Sequence, residues 1–141
     1  MSCVTLQDLN RYLSLCKQLD KARESLLDLQ EAAVPGAQVL TGMPHTPGVK
    51  DKVGNLAIEI ADTKDAIKEM EAEVQALGEE VNIFIKTIPY VELRTIFRLR
   101  YVRFLSWEDI AEVFRWRFSE STLRRRTERY MAKVESGDAP D

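Results

Sequence analysis

Between Val53 and Ile88 apolar side chains recur at alternating steps of three and four residues: Val53, Leu56, Ile60, Ile67, Met70, Val74, Leu77, Val81, Phe84 and Ile88. The pattern persists for five heptads and is broken only at Thr63. Such spacing is one apolar stripe along a helix. At about 1.5 Å per residue the helix would be about 55 Å long, more than a compact chain of this size needs. Its remaining faces carry alternating charge, among them Glu59, Asp62, Lys64, Asp65, Lys68 and Glu69, with Glu79 and Glu80 near the end. The stripe must therefore be covered by something apolar. Gly54 and Gly78 are the weak points of the helix.

The nearest cover in sequence is a second helix, expected from about Leu6 to Ala33. Thr5 and Asp8 have the spacing of a capping box at its start. Tyr12, Leu15, Leu19, Ala22, Leu26, Leu29 and Ala33 repeat the three-four alternation, and Leu9, Leu13 and Cys16 widen it. Between the two helices, Val34 to Lys50 holds three prolines and three glycines and cannot be helical. This gives residues 1–88 as a helical hairpin or coiled-coil arm with a loop at 34–50. The seam of the first helix spans three heptads and that of the second spans five. A hairpin would thus leave about two heptads uncovered, and the expectation is a homodimer formed through residues 53–88.

Pro89 disfavours helical geometry at Ile88, so the long helix should end there. A third helix is expected from Tyr90 to about Phe104, burying Leu93, Ile96, Phe97 and Tyr101. Two further helix starts follow within a few turns. Ser106 with Asp109 forms one cap, and Ser119 with Glu120 behind it forms the next. Between them Ile110, Ala111 and Phe114 make one apolar face. After the second cap Leu123, Thr127, Tyr130 and Val134 recur at core spacing and leave Arg124, Arg125 and Glu128 outward. Residues 89–134 therefore read as a helix-turn-helix, and 135–141 as a flexible acidic tail. A rigid helix with long donors on its free face suits the major groove, where a guanidinium can take both acceptors of guanine. The expected DNA-binding residues are Ser119, Ser121, Thr122, Arg124, Arg125, Glu128 and Arg129, with Arg115 and Arg117 from the turn.

Charge supports this division. Residues 1–89 hold nine Lys/Arg against fourteen Asp/Glu, whereas residues 90–133 hold eleven against six. Ten of those eleven cations are arginine, the side chain suited to two-pronged contacts with phosphate and base edges. Other function classes find little support. The sequence has no Gly-rich phosphate loop and no His-based dyad, and His45 lies in the loop without an acid–base partner nearby. Cys3 and Cys16 are not spaced as a metal knuckle, and Cys16 sits where a packing residue belongs. The expectation is a non-enzymatic binder without cofactor or metal. No apolar run approaches the roughly 20 residues of a membrane span, and the first residues lack the parts of a signal peptide, so a cytoplasmic protein without membrane contact is expected.

The run from Leu99 to Glu112, LRYVRFLSWEDIAE, followed by Ser119-Glu-Ser-Thr-Leu-Arg-Arg, resembles the pattern of the RinA/ArpU type of phage and prophage late regulators. That family is similar here to the DNA-binding region 4 of bacterial sigma factors. The resemblance covers roughly the last third of the chain. It implies a helix-turn-helix packed by Trp107, Ile110 and Ala111, with the helix from Glu120 as reader. This chain departs from the pattern in its turn, Phe114 to Ser119, which lacks glycine and is about two residues longer, and at Arg126, where an apolar residue is common. The function expected is a sequence-specific regulator binding double-stranded DNA. The alternatives are a DNA-packaging protein like a small terminase, or a coiled-coil adaptor to host RNA polymerase.

Overall fold

The computed structural model describes residues 4–34 and 56–137, and among these every regular element is helical. The elements are α1 (Leu6–Ala33), α2 (Leu56–Lys86), α3 (Val91–Tyr101), α4 (Trp107–Val113) and α5 (Glu120–Glu135). The protein is thus all-α, with a pair of long helices followed by three short ones. Cys3, the proline- and glycine-rich stretch with His45, Val53, Gly54 and the tail from Asp138 lie outside the described residues.

The local signals act where the sequence places them. At the start of α1, Asp8 N donates to Thr5 Oγ1 at 3.1 Å and Thr5 N donates to Asp8 Oδ2 at 3.0 Å, the reciprocal bonds of a capping box. At the end of α2, Thr87 N donates to Phe84 O at 2.9 Å and Ile88 N to Ile85 O at 3.1 Å, and Pro89 ends the helical path. The third helix is shorter than expected. It stops at Tyr101, because Phe104 turns the chain at φ 61° and Leu105 N closes back on Leu99 O at 3.0 Å.

The chain divides into two units, Met1–Ser14 with Val74–Asp141, and Leu15–Glu73. The boundary near residue 88 expected from Pro89 is not where the packing divides. Instead the first turns of α1 and the last turns of α2 share one core with α3, α4 and α5, built on Leu9, Leu13, Val81, Ile85, Ile88, Phe97, Ile110, Leu123 and Met131. Aromatic rings fill its centre: Phe97 lies 5.7 Å from Tyr101, 5.8 Å from Tyr130 and 6.3 Å from Phe84. Gly78 proves to be a point of close approach, since a Cβ there would stand 3.1 Å from Tyr12 Oη. The tail also starts later than expected, because α5 continues through Glu135 and Gly137 at φ 85° ends it.

This packing corrects one inference from the heptads. The end of the α2 stripe does not lack a neighbour in its own chain: Val81, Ile85 and Ile88 are fully buried in the core just described. That part of the seam is closed to a second subunit. After Pro89 the chain returns to this end of α2, and Phe97 of α3 meets Phe84 of α2 in the shared core.

In the other unit, Leu19 and Ile67 are buried, and Arg23 Nη2 reaches Glu71 Oε2 at 2.9 Å. An exposed pair of this kind contributes under about 1 kcal/mol. Leu26, Leu29, Ala33, Leu56, Ile60 and Met70 are only half-buried, since two helices alone cannot enclose a stripe. Cys16 is half-buried on the same helix.

Candidate nucleic-acid interface

The C-terminal helices are locked from both ends. Asp109 N donates to Ser106 Oγ at 3.1 Å and starts α4, which buries Trp107, Ile110 and Ala111. Arg100 braces the approach: its Nη1 donates to the Leu105 carbonyl at 3.0 Å, and its guanidinium lies 4.7 Å from the Trp107 ring centre. After Val113 the chain reverses through Arg115 and Trp116, both left-handed at φ 54° and 58°, with Trp116 N donating to Ala111 O at 2.8 Å. Glycine is the usual residue in that conformation, and each side chain held there costs about 1–2 kcal/mol. Phe114 and Phe118 meet edge to face at 5.7 Å, and Arg117 lies over both rings. Trp116 remains 56% exposed between two exposed arginines.

Ser119 then caps α5, accepting from Thr122 N at 3.2 Å. Its hydroxyl also pairs with Thr122 Oγ1 at 2.9 Å and Ser121 Oγ at 3.2 Å. Three of the residues expected to touch DNA thus share one hydroxyl cluster that fixes the helix start. The inward side of α5 carries Leu123, Thr127, Tyr130 and Met131, all buried. Met131 takes the central place expected of Val134, which is half-buried.

At about 100° per residue the outward side is centred on Ser121, Arg125 and Glu128, all exposed. Arg124 and Arg129 stand on opposite edges of it, about 140° apart around the axis. Arg124 borders a cavity shared with Arg100 and Trp107. Arg129 borders another, of about 300 Å³, shared with Tyr90, Arg126, Tyr130 and Lys133. The structure therefore brings Ser121, Arg125 and Glu128 onto one face, puts Arg124 and Arg129 at its margins, and leaves Arg115 and Arg117 in the preceding turn. Among the described residues, Arg124, Arg125 and Arg129 form no ion pair. The outward side of α4 is acidic, with Glu108, Asp109 and Glu112 exposed.

Two arginines with structural tasks were not expected. Arg126 Nη1 binds Glu92 Oε1 at 2.9 Å, and its guanidinium lies 5.0 Å from the Phe118 ring centre. Its place three residues after Leu123 and four before Tyr130 put it on the core side, and that spacing was the available signal. Arg100 had no such signal, because nothing around it distinguishes it from Arg98 or Arg103. Burial lowers the pKa of Arg100; neighbouring Tyr101 opposes the shift and Arg124 adds to it. Burial raises the Tyr101 hydroxyl to about 12, Arg100 working against the rise and Glu128 with it.

Set against family models, curated proteins and solved structures, the chain matches none. Among the described residues no group of three or more His, Cys, Asp or Glu is placed to hold a metal ion. No described helix is long and apolar enough to cross a membrane.

Proposed function

We propose that this protein is a sequence-specific regulator that binds double-stranded DNA through its C-terminal helix-turn-helix, with the turn and α5 in contact, in the manner of the phage late regulators its C-terminal third resembles. The observation that supports this most is the state of the arginines. Arg23 and Arg126 each hold a carboxylate, whereas Arg124, Arg125 and Arg129 on α5 are exposed and hold none among the described residues. Exposed guanidiniums on a helix capped at its first turn and packed along its inner side are pre-positioned donors, which is what base and phosphate recognition needs. In this proposal Arg125 enters the major groove as the base-reading side chain, while Arg124 and Arg129 contact phosphates on either side. The acidic outward side of α4 turns away from the duplex, because like charge opposes the backbone there.

Two copies would place two α5 helices on successive turns of the duplex. The half-buried stripe of Leu15–Glu73 is the part of the arm left for such pairing, and the dimer proposed runs through it instead of the whole of residues 53–88. The test is selection of binding sites from a random double-stranded DNA pool by the purified chain, followed by footprinting. A recurring site of one or two half-sites is the expected result. Enrichment of no sequence at all, with binding that ignores salt, would refute the proposal.

A further inference from the structure

Among the described residues three other than glycine hold a left-handed backbone, and two of them are aromatic: Phe104 at φ 61° and Trp116 at φ 58°. The Phe104 ring has a neighbour, since that of Tyr12 lies 6.0 Å away. Trp116 has no such neighbour. Among the described residues its indole meets no other ring and its side-chain N–H makes no hydrogen bond, and 56% of the residue is exposed. The turn nonetheless fixes its place: Arg115 N donates to Glu112 O at 2.9 Å, Trp116 N to Ala111 O at 2.8 Å and Arg117 N to Phe114 O at 3.2 Å. Left-handed geometry is costly for a bulky side chain, and such outliers persist only where the surrounding structure holds them. An indole is thus presented to solvent on a rigid turn.

What covers this indole must match its surroundings. Arg115 and Arg117 flank it, both exposed, and Arg124 and Arg125 follow on the helix into which the turn leads. A wholly apolar partner would bury these cations unpaired, so the cover must offer apolar surface interrupted by negative charge. A DNA backbone has that composition, with the apolar hydrogens of a sugar between successive phosphates. The indole suits it, having an apolar body and one hydrogen-bond donor. We infer that Trp116 lies against a DNA backbone beside the groove that α5 enters, its ring on a deoxyribose and its N–H given to a phosphate oxygen. This inference rests on the proposed DNA binding and adds to it a contact that neither reads a base nor neutralises a phosphate. Such a contact supplies affinity for any sequence and releases no counterion.

The test labels the full chain with 5-fluorotryptophan, so that Trp107 and Trp116 each give one fluorine resonance, the one absent from Trp116→Phe belonging to Trp116. A duplex of mixed sequence is then added, and its affinity is measured in parallel by fluorescence anisotropy at several salt concentrations. The duplex is expected to shift the Trp116 resonance and to leave that of Trp107, which is buried, almost unmoved. Trp116→Ala should bind the duplex about tenfold more weakly, the loss expected for uncovering part of an indole, with the wild-type slope of affinity against salt. Trp116→Phe keeps a ring in place and should lose only about threefold. If the duplex binds but the Trp116 resonance stays, or Trp116→Ala binds as wild type does, the inference falls while DNA binding stands. A shallower salt slope in Trp116→Ala also overturns it, because the loss then came through the neighbouring arginines, and so does a Trp116→Phe protein as weak as Trp116→Ala. A Trp116 resonance that moves with protein concentration in the absence of DNA would assign the indole to a second copy of the chain instead. No binding of the wild type to the duplex at low salt overturns both the inference and the proposed function.

Discussion

Ile83 and Ile85 are two residues apart on α2 and face opposite ways: Ile83 is 65% exposed and Ile85 is 1% exposed. Replacing either with alanine removes the same three side-chain carbons. At Ile85 their transfer to water is worth about 2.4 kcal/mol, at about 0.8 kcal/mol per buried carbon. Incomplete collapse of the cavity raises the loss towards the middle of the range of about 2–5 kcal/mol seen for such truncations. At Ile83 most of that surface already meets water, and the better helix propensity of alanine, about 0.4 kcal/mol, roughly offsets the small loss. Because both variants gain the same propensity, their difference of about 3 kcal/mol isolates burial in the core that α2 shares with the C-terminal helices. The assay is urea unfolding followed by far-UV circular dichroism and by tryptophan fluorescence, to which Trp107 of that core contributes. Should Ile85→Ala fall within about 0.5 kcal/mol of Ile83→Ala, or its loss vary with protein concentration as a seam between subunits would, the end of α2 has been assigned to the wrong partner.

Further expectations follow from single contacts. Ser119→Ala removes the acceptor for Thr122 N and should cost about 1 kcal/mol by urea unfolding, with the first turn of α5 exchanging amide hydrogens faster. Arg115→Gly relieves a left-handed side chain at φ 54° and should stabilise by up to about 1 kcal/mol; destabilisation would contradict the strain assigned to the turn. Glu92→Gln breaks the half-buried tie to Arg126 and should cost under about 1 kcal/mol, leaving Arg126 over Phe118. Tyr101 has a folded pKa of about 12, above its value near 10 in the unfolded chain, so its share of stability is intact below pH ~10 and is lost as pH rises towards about 12. Ultraviolet titration should show Tyr101 ionising together with alkaline unfolding, and normal ionisation in the folded protein would contradict its burial.

Where periodicity alone decides structure, the sequence was sufficient. The buried side of α3, the caps at Thr5, Ser106 and Ser119, and the break at Pro89 all depend on neighbours within one or two turns. What escaped depends on which elements meet. Ile85 interrupts the three-four alternation, yet is buried more deeply than Phe84, because α2 changes neighbours near Val74 and the stripe widens where α3 and α5 approach. Met131 displaces Val134 for the same reason. Spacing from Leu123 and Tyr130 set Arg126 apart from Arg124 and Arg125 in sequence, but its tie to Glu92 and the place of Arg124 beside Arg100 depend on elements distant in the chain. A turn without glycine was legible as a departure from the pattern the segment resembles, but its solution, two successive left-handed residues, was not.

The base-reading role of Arg125 is the point on which the proposed function depends most. Its direct measurement is the affinity of wild type and Arg125→Ala for a selected DNA site and for a scrambled site of equal length, at several salt concentrations. A two-pronged base contact is worth about 1–3 kcal/mol, so the variant should lose roughly five- to 150-fold on the selected site. Its affinity for the scrambled site should change little, and the salt dependence of both proteins should remain steep. Equal losses on both DNAs would make Arg125 a phosphate contact only, and no loss on either would remove α5 from the interface.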